Sequence, residues 1–218
     1  LKESGLQSLK KNKVNKKFIY LISPNKIKNQ SFYVNLDLVL SSQKINFFQL
    51  RLKRETVKNK FIIGEKIKKI CKKYKVKFLV NDDPNLAKKL NADGCHLGQK
   101  DMNILQARKI LKNKIIGITC HNSKSLAKKA IKEGANYLAF GAFYTTNTKK
   151  IKYYANRNIL RWSKRNVKIP VVAIGGITNK NYSNLLSDGA NFVATSSFIW
   201  KNKNMLKAVK SFDKNFDI

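Results

Sequence analysis

Eight short runs of β-branched and aromatic residues recur along the chain, with longer stretches of helical spacing between them, and no other feature narrows the fold as far. The runs fall at 18–22, 47–51, 78–81, 94–97, 115–119, 137–141, 171–175 and 192–196. Between them Ile63, Ile67, Ile70 and Tyr74 follow helical spacing, as do Ile104, Ala107, Ile110 and Leu111. Leu126, Ala127, Ala130 and Ile131 repeat the pattern, and Leu185 and Leu186 close it. Asp93-Gly94, Glu133-Gly134 and Asp188-Gly189 fall where helices hand over to strands. Strand, helix and strand at this spacing make βαβ units, whose strands pair in parallel. Eight units in 218 residues predict a single-domain α/β fold, a compact (β/α)8 TIM barrel over 18–218. A doubly wound open sheet is the rival, but it would carry phosphate-binding glycines after its first strand. Here that strand runs into Ser23 and Pro24. Residues 1–17 are expected to form a basic N-terminal arm or an extra helix, and they lack the apolar stretch of a secretory signal.

The charge is abnormal: 46 Lys and Arg against 12 Asp and Glu, a net +34. Such an excess raises the question of nucleic acid or an anionic membrane. Yet Arg51, Arg54, Arg108, Arg157, Arg161 and Arg165 are the only arginines, and the remaining bases are lysines. Abundant Lys, Asn and Ile are what an AT-rich coding sequence supplies, whereas a surface selected for nucleic acid would enrich Arg. The bases also lack the aromatic interleaving of a single-strand platform, so no specific nucleic-acid partner is expected. No run approaches the roughly 18 apolar residues a spanning helix needs, so no membrane partner is expected either. Cys71, Cys95 and Cys120 are odd in number and form no CxxC, which fits a reducing cytoplasm. With His96 and His121 as the only histidines, a zinc site is not expected. Cys120 and His121 look like a nucleophile and its base, but adjacent residues on a strand point to opposite faces. Oligomeric state stays open, a homo-oligomer included.

In a chain this poor in carboxylates, their placement carries information. Asp82, Asp83, Asp93 and Asp101 put four of the twelve acids within twenty residues. Asp82 ends the third strand and Asp101 follows the fourth, so a barrel brings both to the rim at the strands' C-terminal ends. Two carboxylates there suit Mg²⁺, which takes few protein ligands and keeps other positions for water and phosphate. Asp83-Pro84 reads instead as a helix N-cap followed by Pro at the first helical position. Asp101 stands equally as a cap or a ligand, and Asp93 sits in a turn with no chemistry assigned.

The other strand ends repeat a phosphate theme. Gln49, Arg51 and Lys53 alternate at the end of the second strand, which would face all three the same way. The link after the sixth strand is hydroxyl-rich and ends in Lys149 and Lys150. The seventh runs into Gly175-Gly176, where missing side chains would let an anion approach backbone N–H groups. The eighth ends in Thr195-Ser196-Ser197 just before a helix, whose positive N-terminus suits a phosphate. Barrel enzymes often bind phosphate after strands seven and eight.

These residues, in this order, resemble the thiamine-phosphate synthase family, with TenI-like thiazole tautomerases as its relatives. The likeness runs from about 18 to 200. It rests on Gln-Leu-Arg-Leu-Lys at 49–53, Asn81-Asp82, the run 92–101 ending His-Leu-Gly-Gln-Lys-Asp, and Gly-Ile-Thr-Cys-His at 117–121. Further pieces are Phe140-Gly141 through Lys149 and Val-Val-Ala-Ile-Gly-Gly-Ile at 171–177. The resemblance implies a barrel enzyme that joins an aminopyrimidine methyl diphosphate to a thiazole phosphate and releases pyrophosphate with Mg²⁺. It assigns Asp82 and Asp101 to the metal. Gln49, Arg51, Lys53, Asn81, Thr119 and Lys149 would hold the pyrimidine diphosphate, with Arg51, Lys53 and Lys149 meeting the leaving group's charge. Thr146, Thr148, Gly176, Ser196 and Ser197 would hold the thiazole phosphate. The resemblance further implies that diphosphate departs first, leaving a carbocation for the thiazole nitrogen, so no general base is required. The family usually has Pro where Thr145 stands, Ser where Thr119 stands and often Arg where Asp83 stands. A metal-free tautomerase would place proton transfer on His121; retention of Gln99 with Asp82 and Asp101 favours the synthase. A non-catalytic barrel that captures phosphorylated metabolites or RNA is the third reading, motivated by the charge.

Overall fold

The computed structural model of the chain describes residues 18–146 and 152–212. Its strands are β1 (Ile19–Ile22), β2 (Ile45–Leu50), β3 (Lys77–Asn81), β4 (Gly94–Leu97), β5 (Ile115–His121), β6 (Tyr137–Gly141), β7 (Val171–Ile174) and β8 (Phe192–Thr195). The helices α1 (Ser31–Leu40), α2 (Val57–Lys73), α3 (Pro84–Lys89), α4 (Ile104–Leu111), α5 (Lys124–Lys132), α6 (Asn158–Asn166) and α7 (Ser183–Ser187) alternate with them. After β8 come α8 (Ser197–Trp200) and α9 (Met205–Lys210). Neighbouring strands pair in parallel and in chain order, and β8 returns to β1, so the sheet closes into a barrel. Closure rules out the open doubly wound sheet. The arm or helix expected at 1–17 lies outside the described residues.

The period of two along each strand sorts side chains into two cores. Tyr20, Phe47, Leu79, Tyr137, Ala139, Val172, Phe192 and Ala194 pack together inside the barrel. Their strand neighbours, such as Leu21, Phe48, Val80, Leu138 and Val193, join the larger core beneath the helices. Burying each large side chain contributes about 1.5–3 kcal/mol. One interior site depends on a missing side chain: a Cβ on Gly117 would stand 1.9 Å from Cζ of Tyr137. Helix starts are set by local chemistry, since Thr56, Asp83, Asn103, Ser123 and Asn204 each accept a hydrogen bond from an N–H three residues on.

Strand ends differ from the expected ones where it matters. β2 stops at Leu50, so Arg51 and Lys53 lie beyond the pleat, and strict alternation does not orient them. β5 runs on to His121 with a register shift between Thr119 and His121. Cys120 is buried against the outer core, its thiol pushed up to about 12 by burial, while His121 is only partly buried. The two do not form a dyad.

Candidate active site

The rim at the C-terminal ends of β3 and β4 gathers the rare acids. Asp82 follows β3 directly, with φ at 65°, and its N–H donates to the His96 carbonyl at 2.8 Å. The left-handed region is uncommon for any residue but glycine, and such outliers cluster at functional sites. Its neighbour Asp83 does the capping, accepting from Leu86 N–H at 2.9 Å. Asn103, not Asp101, caps α4. Asp101 instead turns back to accept from Gly98 N–H at 2.7 Å, an approach that a Cβ on Gly98, 2.9 Å from Oδ2, would crowd.

These placements bring the two carboxyls within hydrogen-bond reach of each other. The Asp101 carboxyl is raised above the usual range, first by burial and then by Asp82; Gly98 N–H and Lys53 pull the other way. Lys53 Nζ lies 3.2 Å from Asp82 Oδ2. Arg51 stands close enough for Asp82 to oppose the effect of burial on its guanidinium. It donates to Asn25 Oδ1 at 3.2 Å. Two converging carboxylates are hard oxygen donors whose mutual repulsion a divalent cation would relieve, so the pair fits Mg²⁺. Among the described residues no group of three or more His, Cys, Asp or Glu gathers to hold a metal, so the fit rests on this pair.

Just inside the rim lies a polar layer. Gln49, almost fully buried, donates from Nε2 to Asn81 Oδ1 at 2.6 Å. His96 sits between Tyr137 Oη, 2.8 Å from Nδ1, and Thr119 Oγ1, 2.9 Å from Nε2. Burial pushes the imidazole down to about 4, leaving it neutral at pH 7. Gln99 Nε2 donates to the Thr119 carbonyl at 2.7 Å, tying the loop after β4 to β5. Sequence reasoning gave His96, Gln99 and Tyr137 no site role. The signal was there: His96 is a polar residue at an inward position, two after Gly94.

On the opposite side the paired glycines seat a loop. Gly175 and Gly176 have φ of 98° and 66°, so both need glycine's freedom. The space their side chains would take is filled by the loop after β6. A Cβ would lie 2.3 Å from Ala142 Cβ at the first and 2.4 Å from the Thr145 carbonyl oxygen at the second. Ser196 Oγ donates to the Ser23 carbonyl at 3.1 Å, and no side chain caps α8, which begins at Ser197. Thr146 is partly buried in the β6 loop; Thr148 and Lys149 lie outside the described residues. His121 packs its ring 4.2 Å from that of Tyr153, part of the same connection. No helix among the described residues is long and apolar enough to cross a membrane.

The family model described as thiamine monophosphate synthase matches residues 19–199. A thiamine-phosphate synthase of Pelagibacter ubique is 68% identical over 195 residues, covering 89% of this chain and 94% of that protein. One from Rhodospirillum centenum is 38% identical over 183 residues, 84% of this chain and 88% of its own. Among solved structures, the thiamine phosphate pyrophosphorylase from Pyrococcus furiosus superposes with a TM-score of 0.79 at 31% identity. It covers 91% of this chain and 94% of that one.

Proposed function

The chain belongs to the thiamine monophosphate synthase family, and from that premise we propose how its residues make thiamine phosphate. It is an enzyme of thiamine biosynthesis. The reaction we assign joins an aminopyrimidine methyl diphosphate to a thiazole phosphate. The C–O bond to diphosphate breaks, its electron pair leaves with pyrophosphate, and the thiazole nitrogen supplies the pair for the new C–N bond.

Asp82 and Asp101 would hold Mg²⁺, which when bound neutralises charge on the diphosphate. Arg51 and Lys53 stand beside that carboxylate pair and offset charge growing on the leaving group; Lys149 is assigned the same role. Gln49, Asn81 and Thr119 take the pyrimidine side. Thr146, Thr148, Gly176, Ser196 and Ser197 take the thiazole phosphate, where the Ser196 hydroxyl is already committed to Ser23 and a phosphate would meet backbone N–H groups. No residue need remove a proton in the bond exchange. This suits a rim whose histidine is neutral and bonded on both nitrogens. Free Cys71, Cys95 and Cys120 fit a cytoplasmic enzyme acting on soluble phosphorylated substrates.

The observation that carries this reading is the meeting of Asp82 and Asp101 beside Lys53. Its test is direct: both precursors are mixed with the protein and Mg²⁺, and thiamine phosphate and pyrophosphate are measured. Formation of both, abolished by EDTA and restored by Mg²⁺, is expected. A rate indifferent to EDTA, or an Asp82→Asn variant as fast as the wild type, overturns the metal assignment.

A further inference from the structure

A chain of buried groups runs beneath the site from Tyr20 to Thr119. Tyr20 Oη lies 2.9 Å from Tyr137 Oη, Tyr137 Oη 2.8 Å from His96 Nδ1, and His96 Nε2 2.9 Å from Thr119 Oγ1. Gly117 makes room for the Tyr137 ring, and His96 stacks on that ring at 5.7 Å between centroids. Both phenols are about 98% buried or more among Phe47, Leu79 and Phe192, and among the described residues Tyr137 is the hydrogen-bond partner of Tyr20.

We infer that this chain donates in one direction, from Tyr20 through Tyr137 and His96, and so makes the Thr119 hydroxyl a donor to bound substrate. The argument is a count of hydrogens. An imidazole buried without a carboxylate on either nitrogen is neutral and carries one N–H. If Nδ1 holds that hydrogen, then Nδ1–H and two phenol O–H groups compete for the two contacts among Tyr20, Tyr137 and His96. One donor is then left buried without an acceptor. If Nε2 holds it, the two phenol hydrogens fill those two contacts: Tyr20 donates to Tyr137, and Tyr137 donates to Nδ1. His96 Nε2–H then donates to Thr119 Oγ1, and the threonine hydrogen is free to point elsewhere. Gln99, bonded to the Thr119 carbonyl, holds the backbone in place.

The consequence deepens the assignment of Thr119 as a pyrimidine ligand and rests on it. The site accepts a lone pair at that point, a ring nitrogen or a diphosphate oxygen, and disfavours a protonated ring nitrogen there. His96 and Tyr137 are positioning residues that act through Thr119.

The direction is read first on the free wild-type protein, labelled with ¹⁵N-histidine, by long-range ¹H–¹⁵N NMR at pH 7. His96 with its proton on Nε2 and a pyridine-like Nδ1 is expected; a proton on Nδ1 overturns the inference. This arm uses no substrate, so it stands or falls separately from the enzymatic reading. Kinetics test the consequence. Thr119→Val should raise KM for the pyrimidine diphosphate about tenfold, the cost of one hydrogen bond. Thr119→Ser, which restores the hydroxyl, should recover most of that loss, and in Thr119→Val the KM for the thiazole phosphate should not move. Tyr137→Phe should raise the same KM in the wild-type background and add nothing in the Thr119→Val background. An equal effect in both backgrounds would show that Tyr137 acts on the fold alone, and would sink the proposal.

Discussion

Gly98 donates its N–H to Oδ2 of Asp101 at 2.7 Å, and it can do so because it has no side chain to stand in the way. Three residues within the run 92–101 thereby acquire a physical meaning: His96 and Gln99 serve Thr119, while Gly98 serves the carboxylate pair. Substituting alanine at 98 puts a Cβ 2.9 Å from a mobile side-chain tip, which will move at little cost to the fold. Gly98→Ala should therefore leave Tm nearly unchanged. The Mg²⁺ concentration for half-maximal rate should rise several-fold, about 1 kcal/mol of lost positioning. Titration of the rate with Mg²⁺ checks it.

Lys53→Ala separates stability from catalysis at one residue. The Lys53 side chain is half exposed, and exposed ion pairs contribute about 0–1 kcal/mol, so a melting curve should barely shift. Turnover should fall by about 100-fold, because a cation that meets a leaving group's charge is a transition-state contact. A loss of stability with turnover intact would mean that Lys53 merely braces Asp82.

Asp188 predicts an acid-dependent stability. Burial would raise its carboxyl, but hydrogen bonds from Arg157 and Arg161 outweigh that and hold it below the usual range. A folded pKa below the unfolded one means stability present above about pH 4 and lost as pH falls through the folded value. Asp188→Asn should cost about 2 kcal/mol at pH 7. In paired melts the gap between variant and wild type should close at acid pH; a constant gap from pH 7 to 3 would show that ionisation is irrelevant.

Gly117→Ala should hurt the fold itself. The added Cβ meets a rigid ring at 1.9 Å, not a flexible tip, so strand β5 or Tyr137 must shift. A cost of about 2–3 kcal/mol follows, or a Tm lower by about 5–10 °C for a domain of this length. Calorimetry beside Gly98→Ala makes the contrast, since the two substitutions add the same atom.

Much of this was legible in the sequence. The strands stood out because a closed parallel barrel buries both faces, so each strand is a dense apolar run between turn signals. Helix α1 was harder to see. Phe32, Leu36, Val39 and Leu40 face the core, but Val34 and Leu38 are exposed and blur the stripe. The carboxylates were legible because they are scarce. What stayed hidden was pairing across long separations, such as Gln49 with Asn81 or His96 with Tyr137, where neither partner announces the other. The packing around the double glycine was hidden for a related reason: a sequence shows where side chains are missing, not what occupies their space.

The backbone at Asp82 has a consequence for how such a chain could lose its activity. Its φ of 65° is one that asparagine tolerates about as well as aspartate. An Asp82→Asn change would thus pass any selection acting on folding and abundance while removing one of the two charges proposed to hold Mg²⁺. A lineage that no longer needed its own thiamine could carry that change indefinitely in a well-folded barrel. On the proposed metal assignment, the identity of residue 82 is a better sign of a working enzyme than stability or expression.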